Sequence, residues 1–203
     1  MFTFYQCPEN ENRLEKELLN KSKVQWLKWN ELKNKAIEVM DERYSAAYLC
    51  FGAKMSEHGK QCVGVLNALL PEDVICSLNE YEILLILISC YIHDIGLVTR
   101  DAPYRPISHA KHFELGADFI LHEEWLSLSM IEKEALSYII RNHNVIISNS
   151  RYKDETPTEV TFNGKIINLK LLIGMIQLAD FYHHVIDVVW TKSRELSEYS
   201  ARD

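Results

Sequence analysis

Ile83-Leu84-Leu85-Ile86-Leu87-Ile88-Ser89-Cys90-Tyr91-Ile92-His93-Asp94-Ile95-Gly96 is the stretch that decides the fold. Up to Ile92 a helix of this composition is apolar almost all round, interrupted at Ser89. It has no side to turn toward water and belongs at the centre of a bundle. The run is too short to span a bilayer. No Lys or Arg occurs between Lys60 and Arg100, in keeping with burial. Ser77 and Glu80 stand at capping-box spacing just ahead of the run, which predicts a helix from about Glu80 to Asp94. Gly96 is its expected stop. The run ends on a histidine and an aspartate, so a neutral nitrogen donor and an anionic oxygen donor lie side by side next to a core. That pairing suits a divalent transition metal.

Outward from this centre the chain reads as helix on both sides. Towards the N-terminus, Glu11 to Leu19, Lys23 to Met40 and Glu42 to Gly52 are predicted helices. Trp26, Leu27, Leu32, Ile37 and Met40 form the apolar stripe of the second. A loop from Ala53 to Glu57 leads to a helix from about His58 to Leu70, with Cys62, Val65, Leu66 and Leu69 on one face. Beyond the centre, a two-proline loop at Asp101 to Pro106 precedes a helix over Ser108 to Leu121. Ser129 and Glu132 form a second capping-box match, opening a helix that runs to Asn142 and is closed by His143. Thr161-Phe162-Asn163-Gly164-Lys165-Ile166 is a hairpin signal with a type I′ turn at Asn-Gly. A two-stranded ribbon is marginal alone and should lean on the helices. The last predicted helix, Leu169 to Val189, carries Asp180 near its middle.

Seven Gly and five Pro in 203 residues favour helix over a strand-and-turn architecture. The expected fold is an all-α bundle with a small β-hairpin. Residues 1–56 are read as N-terminal helices packing on the core, 57–190 as the core itself, and 191–203 as a polar tail. The formal net charge of −7 argues against non-specific binding to nucleic acid, which needs a basic footprint. Cys7, Cys50, Cys62, Cys76 and Cys90 are odd in number and include no C-x-x-C pair. They read as buried free thiols of a reducing compartment, without metal-ligand spacing. Met1 to Asn12 has neither a basic start nor a long apolar stretch, so the expectation is a cytoplasmic protein without a signal peptide.

His58, His93, Asp94, His112, His143 and Asp180 fall at or near the ends or centres of five different predicted helices. Donors spread in this way meet when a bundle folds around them. Imidazole mixed with carboxylate favours Fe, Mn, Zn, Co or Ni over Mg or Ca. The set exceeds what one tetrahedral ion needs, and Asp94, with its two oxygens, is the natural bridge between two ions. Two ions so bridged activate water and clamp the oxygens of a phosphoryl group.

His58, His93-Asp94 and Asp180, in that order, resemble the HD superfamily of metal-dependent phosphohydrolases. His93-Asp94-Ile95-Gly96 followed by His112-Phe113-Glu114-Leu115-Gly116-Ala117-Asp118-Phe119-Ile120 is similar to the di-metal branch, where the second segment supplies a further histidine. Ile139-Ile140-Arg141-Asn142-His143 resembles the segment supplying another, and Leu178-Ala179-Asp180 resembles the terminal aspartate motif. The resemblance covers about His58 to Val189. The chain departs from the cyclic-di-GMP phosphodiesterases of that branch. It has Leu97 where they carry Lys, and no Gly-Tyr-Pro between Asn144 and Lys165. The nearest flavour is the HD domain attached to Hsp90-like ATPase modules, which implies a fused or partner ATPase domain.

The resemblance implies hydrolysis of a phosphoester of a nucleotide or related small phosphorylated molecule by a metal-activated water. Asp94, His112 and His143 would be catalytic. One or two ions would be held by His58, His93, Asp94, His112, His143 and Asp180. Lys60, Arg100, Arg105 and Arg141 are the expected phosphate contacts, with His109 and His184 as further substrate contacts. Tyr104 and Tyr182 could stack on a base. His109 is also an alternative to His112, and His122 and His183 are read as surface residues. Two rival readings stand beside this one: a metal-containing, nucleotide-binding regulatory module, and a metal-dependent nuclease for single strands. Self-association is left open.

Overall fold

A computed structural model describes residues 12–47, 55–98, 111–143 and 157–200. In chain order these form α1 (Arg13–Lys21), α2 (Lys23–Ala47), α3 (Met55–Leu69), α4 (Glu72–Ser77), α5 (Glu80–Ile92), a 3-10 turn (Ile95–Val98), α6 (His112–His122), α7 (Met130–Asn142), β1 (Glu159–Phe162), β2 (Lys165–Asn168) and α8 (Leu169–Ser200). The expected all-α bundle with a hairpin is what folds. Among the described residues no helix is long and apolar enough to cross a membrane.

α5 is the central helix, packed against α1, α2, α3, α7 and α8. Every residue from Tyr81 to Ile92 is buried, whichever way it points. Each fully buried Leu or Ile contributes about 1.5–3 kcal/mol relative to exposure, so this one helix anchors the bundle. α2 lays Trp29, Leu32, Ala36 and Met40 into the same core, a stripe at helical spacing. Leu27, expected on that stripe, is 54 % exposed, and Trp29 takes the inward position instead. The two helices expected on either side of Asp41 are one, because α2 continues unbroken to Ala47. Residues 48–54 lie outside the described residues, as does the N-terminal part of the helix expected from Ser108.

α5 starts at Glu80 as expected, but its cap lies two residues later than Ser77. Pro71 opens a short helix, α4, that uses Ser77 as its last residue. Ser77 Oγ donates to the Val74 carbonyl at 2.7 Å and caps nothing. Asn79 is the cap: its Oδ1 accepts from the Tyr81 and Glu82 amides, and Glu82 returns a bond from the Asn79 amide. Such a box stabilises a helix start by roughly 1 kcal/mol. It also docks the hairpin. Asn79 Nδ2 donates to the Ile166 carbonyl at 2.7 Å, and the Asn168 amide donates to Glu82 at 2.8 Å. β1 and β2 pair antiparallel with Phe162 opposite Lys165. The turn between them has Asn163 at φ 49° and Gly164 at φ 76°, as Asn-Gly predicts. The second expected box holds: Ser129 caps α7 with Glu132. Glu132 also takes the Lys28 ammonium at 2.8 Å, tying α2 to α7.

Candidate metal centre

The end of α5 brings its two polar residues to the meeting point of α3, α6, α7 and α8. His93 is the C-cap of α5, and the chain then turns through Ile95–Val98. Gly96 is not a left-handed stop; its role is contact. A Cβ there would lie 1.7 Å from the His112 carbonyl oxygen and 2.7 Å from the Gly116 amide nitrogen. The missing side chain lets the start of α6 sit directly on the turn after Asp94. Gly59 does the same for α3, where a Cβ would lie 2.8 Å from the Tyr91 Cα. α3 begins at Met55, so residues 55–57, expected as the end of a loop, are helical and His58 sits inside the first turn, held against α5.

These two close approaches converge the donors. His58 Nε2 is 2.9 Å from His93 Nε2, and His112 Nε2 is 3.0 Å from His143 Nε2. Between the pairs stands Asp94. Its Oδ2 is 3.7 Å from His58 Nε2 and 3.5 Å from His93 Nε2. Its Oδ1 is 3.2 Å from His112 Nε2 and 3.7 Å from His143 Nε2. Asp180, from the edge of the apolar stripe of α8, places Oδ1 3.4 Å from His58 and 3.6 Å from His93. The six residues singled out in the sequence therefore share one centre.

Backbone carbonyls orient two of the rings. His93 Nδ1 lies 3.2 Å from the carbonyls of Ser89 and Cys90, and His143 Nδ1 lies 2.6 Å from that of Ile140. A carbonyl accepts only, so Nδ1 donates to it and Nε2 is the ring nitrogen turned toward the centre. This is how metal-ligating histidines are held in the correct tautomer.

Electrostatically the cluster is a trap for positive charge. Burial would raise Asp94, but the charge of His93 and hydrogen bonds from His112 and His143 hold it well below the usual carboxylate range. Asp180 is likewise lowered, with burial outweighed by His58 and His93. Burial would lower His93, yet Asp94 and Asp180 raise it to about 9. His143 is lowered by burial, which Asp94 only partly offsets. Carboxylate oxygens and ring nitrogens facing one point are the donor set of a divalent transition metal, and the residues fit such an ion. His58, Cys62, His93 and Asp180 could hold one, as could His93, Asp94 and His143.

A pH prediction follows for the metal-free protein. The lowered Asp94 and Asp180 contribute stability that is present above the ordinary carboxylate range and lost as pH falls. The raised His93 contributes stability that is full below its ordinary value near 6.5 and lost as pH rises through about 9. Thermal melts in chelator should therefore show a midpoint that declines between those two values. Saturating zinc should remove the decline, because the ion replaces the proton. A flat profile in chelator would contradict the charge arrangement.

Two neighbours of the centre were not read from the sequence. Cys62, without a cysteine partner at metal-binding spacing, sits one helical turn after His58, with Sγ 3.9 Å from His58 Nε2. Burial and the nearby Cys90, Asp180 and Asp94 push its thiol well above the ordinary range. His183, read as a surface residue, places Nδ1 2.9 Å from His58 Nδ1. In each case the signal was present as a helical spacing, His58 to Cys62 and Asp180 to His183. Among the expected substrate contacts, Lys60 is exposed on α3. Arg141 is paired to Asp118 at 2.6 Å, and Tyr182 is 42 % exposed on α8. His184 lies in α8 with its side chain outside the described set, and Arg100, Tyr104, Arg105 and His109 lie outside the described residues. His122 is exposed, its Nδ1 near the Asp118 carbonyl.

Residues 56–183 match the family model HD-CE, an HD-like domain. The chain belongs to the HD-CE family. The matched span runs from the first turn of α3 to His183 and holds every donor described above. Among curated proteins and solved structures none matches the chain. Within this HD-CE domain, the distances assign His58, His93 and Asp180 to one side of Asp94 and His112 and His143 to the other.

Proposed function

We propose that this HD-CE domain is a metal-dependent phosphohydrolase acting on a nucleotide or a related small phosphorylated molecule, with a two-ion centre of the di-metal HD type. The observation that carries the reading is Asp94, whose two oxygens face separate imidazole pairs. A single-ion site would need one oxygen and one pair. His58, His93, Asp180 and Asp94 Oδ2 would hold one ion, and His112, His143 and Asp94 Oδ1 the other. Divalent ions there supply Lewis-acid activation of water and neutralise charge on phosphoryl oxygens.

The chain's own residues do the rest. The carbonyls of Ser89, Cys90 and Ile140 fix the rings of His93 and His143, so little reorganisation remains at the moment of reaction. The apolar body of α5 walls the centre from below and keeps its electrostatics strong. Lys60, Arg100, His109 and His184 are our proposed contacts to the phosphorylated group. Arg141 joins them only by giving up Asp118.

Leu97 favours a second reading. It is 7 % exposed and fills with a buried apolar side chain the position after Gly96. With no cation supplied there, a domain that binds a nucleotide and signals its presence to a partner or fused ATPase fits as well. Elemental analysis of protein purified without chelator, followed by a screen of nucleotides and generic phosphodiesters, separates the two. About two ions per chain with product release supports the hydrolase. Ligand binding without turnover supports the module, and absence of bound transition metal under all loading conditions overturns both.

A further inference from the structure

We propose that the thiol of Cys62 is a direct donor, beside Asp94, to the ion held by His58, His93 and Asp180, giving that half of the centre a preference for zinc, ferrous iron or cobalt over manganese or magnesium. The inference deepens the metal-centre reading and rests on it. Cys62 is fully buried on the inner face of α3, one turn from His58. Its Sγ and one donor atom each from His58, His93 and Asp180 lie within 4.8 Å of one another. Four of the six separations are 2.9 Å for His58 to His93, 3.4 Å for His58 to Asp180, 3.6 Å for His93 to Asp180 and 3.9 Å for His58 to Cys62, and the two from Cys62 to His93 and Asp180 are within 4.8 Å. Donors around a four-coordinate ion stand about 3.3–3.8 Å apart, with sulfur at the longer end because its bonds are longer. The four groups therefore need only small adjustments to surround one cation.

The arrangement separates the two halves of the centre chemically. On the His112 and His143 side the donors are nitrogen and oxygen. On the His58 side a sulfur is added, and thiolate selects soft or borderline ions. Formation of the S–metal bond breaks the S–H bond, and the proton leaves to solvent. No oxidant or reductant is involved. Asp94 Oδ2, 3.7 Å from His58 Nε2 and 3.5 Å from His93 Nε2, would join this shell as a further donor, shared with the other half of the centre through the same carboxylate.

The test is anaerobic titration of the chelator-stripped full chain with cobalt(II), read by absorption and by metal content. Direct ligation produces a near-ultraviolet thiolate-to-cobalt charge-transfer band in the wild type. The band should vanish in Cys62→Ser and in Cys62→Ala and persist in Cys90→Ser, with helicity checked by circular dichroism. The zinc-over-manganese affinity ratio should fall on the order of tenfold or more in Cys62→Ser. Stoichiometric cobalt with visible ligand-field absorption but no charge-transfer band in the wild type overturns the thiol ligand and leaves the metal centre standing. A band that survives in both Cys62 variants also overturns it. Failure of the wild type to bind cobalt at all removes the metal-centre reading, and this inference with it. Since the wild-type spectrum decides the main point, a variant that misfolds does not shelter the proposal.

Discussion

Asp94→Asn should lower kcat/KM by roughly a thousandfold and reduce bound metal, while far-ultraviolet circular dichroism stays close to wild type. The substitution keeps shape and removes the charge that faces both histidine pairs. On the proposed two-ion phosphohydrolase reading, losing the shared carboxylate would withdraw several kcal/mol of charge stabilisation at the phosphoryl group, and each 1.36 kcal/mol is about tenfold in rate. The fold should tolerate it. Asp94 lies past the end of α5, at the edge of the core rather than within it, and it is 15 % exposed through its side chain. The check is metal content and turnover on the same preparation. Full turnover in Asp94→Asn would remove the hydrolytic mechanism. Loss of turnover with full metal content would shift Asp94 from ligand to another role.

Among Gly59, Gly96 and Gly116, an added methyl should have its largest structural effect as Gly96→Ala. The added carbon would fall 1.7 Å from the His112 carbonyl oxygen and 2.6 Å from its carbonyl carbon. Those are backbone atoms at the start of α6, so no side-chain rotation relieves the clash. Overpacking typically costs about 1–3 kcal/mol, and a backbone collision belongs at the upper end. For a chain of this size about 3 kcal/mol lowers the melting midpoint by roughly 6–12 °C. The functional loss should be one-sided. α6 carries His112, and its displacement separates His112 from Asp94 Oδ1 while leaving His58, His93 and Asp180 in place. If the proposed two-ion centre holds, metal content should therefore fall from two towards one. Gly116→Ala is the graded control, since its added Cβ would meet the Gly96 amide nitrogen at 3.1 Å and Ile140 Cγ2 at 3.3 Å. Its midpoint should drop less. Equal effects at the two glycines, or an unchanged melt for Gly96→Ala, would contradict the close approach of α6 to the turn.

Legibility in the sequence followed the range of each interaction. Ser129 with Glu132, and Asn163 with Gly164, were read correctly because cap and turn chemistry acts over three or four residues. Ser77 with Glu80 has the same spacing and was misleading, since Pro71 starts a preceding helix that consumes Ser77 and moves the cap to Asn79. Leu27 looked like a core residue by type, but the azimuth of α2 is set by which face meets α5, and that face carries Trp29. Gly96 was expected to stop a helix by its backbone freedom. It acts by its lack of a side chain towards a helix that begins well after it.

The sequence by itself determined that a helix with no polar face must lie at the middle of a bundle, and that a histidine and an aspartate sit at its end. It also determined which side chains could serve as donors, because residue type and helical spacing are properties of a single segment. Only the tertiary structure decided that Asp94 turns one oxygen to each histidine pair, that Cys62 and His183 stand beside His58, and that Arg141 is engaged by Asp118. Those outcomes depend on how near two helix backbones come and how each is rotated. Here that distance is set by side chains missing at Gly59 and Gly96, and their partners across the gap lie far along the chain.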